Sequence, residues 1–233
     1  MASTNIEISQ LVFKKVEQAT NDVLDSMAHV AAEAYRFGRN VQDTASKGGS
    51  DDFTRACIAD NWDLNLAFQR GVVGAQQVGG ENWVALDNDK IVAVAGWYPP
   101  GRMLFDNPEQ MNAGWGAFAE KWTPELGDWW MNYFLPRYAK ATDAALGSPD
   151  KKKESWHLQM LVVLPDPKYR QRGIATALIA DTDKTVDMCL ESEVEANTAM
   201  YTKWGWEIQG DKTDFESPHG NFSMWVLLKK PTL

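Results

Sequence analysis

The chain reads as a three-layer α/β/α domain around a mixed sheet, and three observations carry that reading. A nearly continuous apolar stretch, 156–164, runs through a proline-broken turn into the hexapeptide 170–175 (RQRGIA) and then into an amphipathic pattern over 174–188. Strand-like segments also come in pairs: 81–86 and 90–97 flank the polar turn 87–89, and 206–210 with 221–229 form a second hairpin. Between these pairs the apolar spacing changes to the 3.6-residue period of helices.

In order, 11–16 (LVFKKV) has short strand character, and Asn21 or Asp22 then caps a helix that ends at Gly38, with Val23, Met27, Val30, Ala31 and Tyr35 on one face. Residues 39–51 read as a loop. A second helix covers 52–73, its apolar contacts being Phe53, Cys57, Trp62, Leu66 and Phe68. Gly71, Gly74, Gly79 and Gly80 stand in the wrong order for a dinucleotide loop and read as punctuation between that helix and the next strand. Pro99, Pro100 and Gly101 stop the first hairpin. From 102 to 150 follows a helical insert dense in aromatics, among them Trp115, Trp122, Trp129, Trp130 and Phe134. Such rings at helical spacing fill a core, or else wall an apolar pocket. The run Lys151, Lys152, Lys153 reads as a solvated loop.

The strand 156–164 carries Trp156, Leu158, Met160, Val162 and Leu164 on one face, with His157 and Gln159 interrupting the other; its apolar far end makes it central in the sheet. A short strand at 189–194 places Glu191 and Glu193 on one side. Asn197 or Thr198 then caps a short helix that stops at Gly205. The order is β-α-α-β-β-(helical insert)-β-α-β-α-β-β, a single domain over 1–233.

Composition narrows the function classes. A formal net charge of −9 argues against nucleic acid as a partner, since an acidic surface repels phosphates. No window of the sequence approaches a membrane span, and the N-terminal residues lack a basic and an apolar signal region. Two distant cysteines, Cys57 and Cys189, fit a reducing compartment, so a cytoplasmic location is expected. Three histidines and two cysteines show no metal-ligand spacing, so no metal is expected.

The chemistry concentrates after the central strand. A glycine at the mouth of a helix leaves backbone N–H groups uncovered where the helix dipole is positive, so a phosphate or pyrophosphate can sit there. Arg170 and Arg172 add guanidinium forks suited to phosphate oxygens. A small phosphorylated ligand follows.

These residues resemble the GNAT superfamily of acyl-CoA-dependent N-acetyltransferases in two places and in the right order. Arg170-Gln171-Arg172-Gly173-Ile174-Ala175 is similar to its [QR]-x-x-G-x-[GA] pyrophosphate loop, and Tyr201-Thr202-Lys203-Trp204-Gly205-Trp206 resembles its later Y-x-K-x-G-[FW] element. The resemblance covers about 156–208, an acyl-CoA-binding core, with the 81–97 hairpin fitting more loosely. It implies a splayed central sheet and acetyl-CoA (coenzyme A) as cofactor. The pyrophosphate would be held by backbone N–H groups of Gln171, Arg172, Gly173, Ile174, Ala175 and Thr176, and the pantetheine arm would pair with Leu161, Val162 and Val163. Pro165, Asp166 and Pro167 would supply the interruption that splaying needs. Tyr201 would protonate the leaving thiolate. The family's asparagine seven residues before that tyrosine is Val194 here, while Asn197 lies one helical turn before Tyr201 and would contact the cofactor.

For the general base, His157 lies on the thioester-bearing strand and Glu191 on its neighbour; neither is needed if the amine binds neutral. The function expected is transfer of an acetyl group to the amine of a small molecule by direct attack on the thioester. Transfer to a hydroxyl, or a non-catalytic acyl-CoA sensor, are the alternatives. An ATP-binding loop fits less well, because the GK[ST] lysine is missing. The chain would act as a monomer or homodimer.

Overall fold

The computed structural model describes residues 6–36, 51–59, 61–180 and 185–231. The middle layer is a seven-stranded mixed sheet in the order β1-β2-β3-β4-β5-β7-β6. Its strands are β1 (Leu11–Lys15), β2 (Glu81–Asp87), β3 (Lys90–Tyr98), β4 (Trp156–Val163), β5 (Met188–Ser192), β6 (Glu207–Phe215) and β7 (Phe222–Lys229). Every neighbouring pair is antiparallel except β4 with β5. β4 is thus central, fourth of seven.

On one face lie α1 (Asn21–Arg36) and α3 (Trp62–Gly79), packed through Met27, Val30, Ala31, Val72 and Val73 onto Val84, Val94, Met160 and Val162. α2 (Asp51–Ile58) precedes α3. The helix expected over 52–73 is therefore two helices. Ala59 takes a positive φ of 56°, which ends α2, and the Asn61 side chain then accepts the Leu64 N–H at 3.1 Å to start α3. Gly71 and Gly74 lie inside α3, whereas Gly79 is its last residue and Gly80 its C-cap, directly before β2. A Cβ on Gly71 would stand 3.0 Å from the Gly114 carbonyl oxygen, so glycine lets the insert backbone touch this helix. The loop expected over 39–51 falls outside the described residues, except Asp51.

The insert comprises α4 (Pro108–Gln110), a π-helical turn Met111–Trp115, α5 (Gly116–Ala119), α6 (Pro124–Asp128), a second π-helical turn Trp129–Phe134, α7 (Leu135–Leu146) and α8 (Lys151–Glu154). Its rings make a core: Phe118, Trp130 and Phe134 pack with Phe215 and Phe222 of the β6–β7 hairpin. Trp122 stacks on Trp130 at 5.9 Å and 7°. Of the two readings of the aromatic insert, burial among its own rings is what the fold adopts.

On the opposite face lie α9 (Ile174–Ala180) and α10 (Glu195–Lys203), packed against Leu158, Leu190 and Leu227. The pattern expected to run to 188 continues beyond α9 into residues outside the description, and β5 begins at Met188. Val194 takes the cap position of α10; Asn197 and Thr198, both expected as caps, lie within the helix.

β4 departs from simple alternation. Gly96 pairs with Met160 and Trp97 with Leu158, leaving Gln159 as an extra residue. Because the side-chain period is two, that bulge swaps faces. Trp156, Leu158, Leu161 and Val163 look toward α9 and α10, while Met160 and Val162 look toward α1 and α3. Met160 and Val162 thus leave the face expected for them. Pairing with β5 is confined to Trp156 with Met188 and His157 with Cys189. The strands part beside the bulge, well before Pro165, and a bulge bends and twists its strand. No helix among the described residues is long and apolar enough to cross a membrane.

Candidate active site

Where β4 and β5 part, a groove of about 570 Å³ opens. Its wall includes residues 161–163 of β4, the whole loop 170–176 and Asn197 of α10, so the eleven residues expected to hold the cofactor meet in one place. Gln171 and Gly173 both have positive φ, 55° and 77°, on either side of Arg172. A Cβ on Gly173 would meet only Ile8 Cδ1 at 3.6 Å, so backbone conformation and not space selects glycine there. Ala177 N–H donates to the Gly173 carbonyl at 2.9 Å as the first helical bond, which leaves the amides of 173–176 without helical acceptors. Arg172 Nε is buried and has no partner among the described residues. Tyr169 anchors the loop: its hydroxyl donates to Asp87 Oδ2 at 2.8 Å, and Lys168 Nζ reaches the same oxygen at 2.5 Å. Lys168 first, then Tyr169, hold the Asp87 carboxyl below its ordinary range.

Tyr201 is not among the side chains that line the groove. It sits one turn beyond Asn197, 9% exposed, with Trp204 at 5.6 Å and Trp206 at 6.0 Å from its ring. Its hydroxyl makes no hydrogen bond among the described residues. Burial, then the charge of Glu193, push its pKa up, so it stays a phenol at neutral pH. Tyr35, assigned from sequence to helix packing, lines the groove from α1 and is raised by burial, by Glu193 and by Tyr201.

His157 and Glu191, the two base candidates, meet each other and not the groove. Glu191 Oε2 lies 2.7 Å from His157 Nε2, and Glu191 Oε1 accepts from Lys152 Nζ at 2.9 Å. Lys152 also bonds the Tyr138 hydroxyl and stands 4.5 Å over its ring. Lys152 is 8% exposed and His157 1%, so the lysine read as part of a solvated loop is instead buried at the end of the insert. Burial would raise the Glu191 carboxyl, but Lys152 and His157 outweigh it and hold it well below the usual range. Burial and then Lys152 push His157 down despite Glu191. A carboxylate so stabilised and an imidazole so weakened are poor proton acceptors. His157 Nδ1 is buried and has no partner among the described residues.

Glu193, two residues on, has the opposite character. It is partly buried and makes no ion pair among the described residues. Burial first and the charge of Glu191 second push it up to about 7. Its charge also raises the proton affinity of Tyr201, Tyr35 and Cys57, in each case after burial. Sequence reading had placed Glu193 beside Glu191 without a role. The signal available was its position past the strand's last apolar residue, but nothing local separates the two glutamates.

The segment after β5 divides two cavities. Val194, Ala196 and Asn197 line the groove, while Glu193 and Glu195 line a second cavity of about 740 Å³ together with Asp52, Lys212, Asp214, Glu216 and the hairpin aromatics.

No protein-family model and no curated protein sequence matches the chain. Solved structures do. An acetyltransferase of Corynebacterium glutamicum, described as histone acetyltransferase HPA2 and related acetyltransferase, superposes with a TM-score of 0.50 at 17% identity, over 96% of this chain and 97% of that one. The Drosophila melanogaster polyamine N-acetyltransferase, which forms N-acetylagmatine, gives 0.51 at 16% identity over 94% and 99%. With a seven-stranded mixed sheet that splays beside its central strand, the chain has the GNAT acetyltransferase fold that its loop and its tyrosine helix resemble.

Proposed function

We propose that the chain is an acetyl-CoA-dependent acyltransferase that acetylates the amine of a small molecule, working as one domain over 1–233 with the cofactor held by the 156–208 core. The observation that carries this is the meeting of 161–163, 170–176 and Asn197 around one groove beside a raised carboxylate. The residues fit a coenzyme A thioester. The amides of 173–176 and the buried, unpartnered Arg172 Nε suit a pyrophosphate, and the β4 edge, freed of β5 after His157, offers backbone groups to an amide-bearing arm. When bound, the thioester supplies an acyl group with a sulfur leaving group.

The chain's own residues then divide the proton work. Glu193 replaces His157 and Glu191 as the base we favour, because near pH 7 it can take a proton from an ammonium and free the nitrogen lone pair. Tyr201, kept protonated by burial, is our choice of donor to the sulfur, with Tyr35 facing the groove from α1. An amine acceptor is also what the Drosophila enzyme of the same fold uses.

Calorimetric titration with acetyl-CoA, followed by thiol release across a panel of amines, tests the reading. Binding with turnover is expected; binding without thiol release from any acceptor would favour the sensor alternative. Gly173→Asp should raise the apparent cofactor KM at least about tenfold, because it sets a carboxylate against phosphate in a position that also disfavours a Cβ. An unchanged KM would remove the loop from cofactor binding.

A further inference from the structure

Two residues of the loop that enters α9 stand in the left-handed region, Gln171 at a φ of 55° and Gly173 at 77°. A residue other than glycine keeps that conformation only where its surroundings over-determine it. The tie of Lys168 and Tyr169 to Asp87 supplies part of those surroundings. The N-terminal segment 6–10 supplies another part. Ile6 N–H donates to the Lys168 carbonyl at 3.4 Å, and its side chain, 5% exposed, is buried in the cluster that also holds Tyr169 and Ile174, the residues on either side of the loop. Residues 7–10 then make a turn that is closed twice: Gln10 N–H donates to the Glu7 carbonyl at 2.9 Å, and Glu7 N–H donates to Gln10 Oε1 at 2.9 Å. This turn sets Ile8 Cδ1 3.6 Å from where a Cβ on Gly173 would stand. It leads into Leu11, which pairs in register with Asp87, the same residue that anchors Lys168 and Tyr169. The segment is thus fixed at both ends to the base of the loop, with the exposed apolar side chain of Ile8, at 39%, beside the glycine.

We propose that residues 6–10 are a clamp on the cofactor loop, and that Ile6 and Ile8 are positioning residues that keep the amides of 173–176 aimed at one point before a pyrophosphate arrives. The proposal rests on the acyl-CoA reading above. A loop that is ordered when free loses less freedom on binding, so the clamp is read in cofactor affinity. Ile6 acts through Tyr169 and Ile174, with which it shares a core. Ile8 acts by filling the space next to Gly173, where a left-handed glycine has no side chain of its own to pack.

The test uses the full chain, with coenzyme A as the calorimetric probe and hydrogen exchange read at the Ala177 amide, which donates the first helical bond to the Gly173 carbonyl. Ile6→Ala should raise the Kd for coenzyme A about tenfold and Ile8→Ala about threefold, and Ile6→Val should recover most of the loss. Ile8 is exposed, so Ile8→Ala keeps the test open even if Ile6→Ala folds poorly. In the free protein Ile8→Ala should speed exchange at Ala177 about threefold while the amides of β7 keep their rates, whereas a general loss of stability would speed both. Ile8→Asp should bind coenzyme A about tenfold more weakly than Ile8→Asn at low salt, a gap that narrows as salt rises, because the carboxylate stands beside the phosphates. An unchanged Kd in both alanine variants, wild-type exchange at Ala177 in Ile8→Ala, or equal Kd for Ile8→Asp and Ile8→Asn would overturn the clamp. The two readings fail separately. A wild-type chain that binds no coenzyme A sinks the acyl-CoA reading, and exchange at Ala177 still decides whether the segment holds the loop; alanine variants that bind as the wild type does sink the clamp and leave acyl transfer standing.

Discussion

Glu191 and Glu193 stand two residues apart at the end of one strand and live in opposite regions. The first is closed in by Lys152 and His157 beneath the aromatic insert; the second lines the cavity on the other side of the 193–197 segment from the groove and has no ion-pair partner among the described residues. The same residue type is fixed as an anion in one place and brought to about 7 in the other. The closed region also acts on the open one, since the permanent charge of Glu191 is the second cause, after burial, of the raised proton affinity of Glu193. A buried ion pair is weak support for stability in itself. Its effect here lies in the charge it maintains near Glu193.

The sharpest way to break this contrast is Lys152→Met. With its cation removed, Glu191 keeps only a weakly basic imidazole in a buried setting, and stability should fall by about 3–5 kcal/mol, read from the denaturant midpoint. A loss under about 1 kcal/mol would mean that the closed region is solvated after all.

Glu193→Gln comes next. It should lower kcat/KM at pH 8 by about 100-fold. The wild-type chain should gain activity as pH rises through about 7, where Glu193 becomes the carboxylate that accepts a proton, and the variant should lack this acidic limb. Stability carries the opposite sign. The folded-state value lies above the ordinary glutamate value of about 4.5, so the wild type loses stability as pH rises from there to about 7. The glutamine variant escapes that loss and should melt higher than the wild type at pH 8. Parallel pH profiles for the two proteins would place the base elsewhere.

Tyr201→Phe should have the smallest effect of the three, about a tenfold drop in kcat with cofactor affinity little changed. Should Tyr35→Phe lower kcat more than Tyr201→Phe, the proton donor is the tyrosine that faces the groove and not the one packed beneath it.

The strands, the order of elements and the loop at 170–175 that enters a helix were legible because each depends on neighbours in the chain. RQRGIA meets the backbone demands of a loop entering a helix within six residues, and the turn at 87–89 declares itself between two strand patterns. What escaped depends on residues far apart. The single helix read over 52–73 failed at Ala59, where a residue of high helix propensity takes a left-handed conformation that composition does not announce. The bulge at Gln159 failed the alternation rule because it exists only in register with Gly96 and Trp97. Lys152 failed the charge-run rule because its partners, Tyr138 and Glu191, lie 14 and 39 residues away.

By itself the sequence determined a mixed α/β sheet, a glycine-bearing loop that enters a helix, and two glutamates at and just past the end of the next strand. Local backbone preference and side-chain period are enough for that. Only the tertiary structure decided which glutamate is locked and which is poised, because proton affinity follows burial and the charges brought near by the fold, and neither is a property of the residue or of its neighbours in the chain.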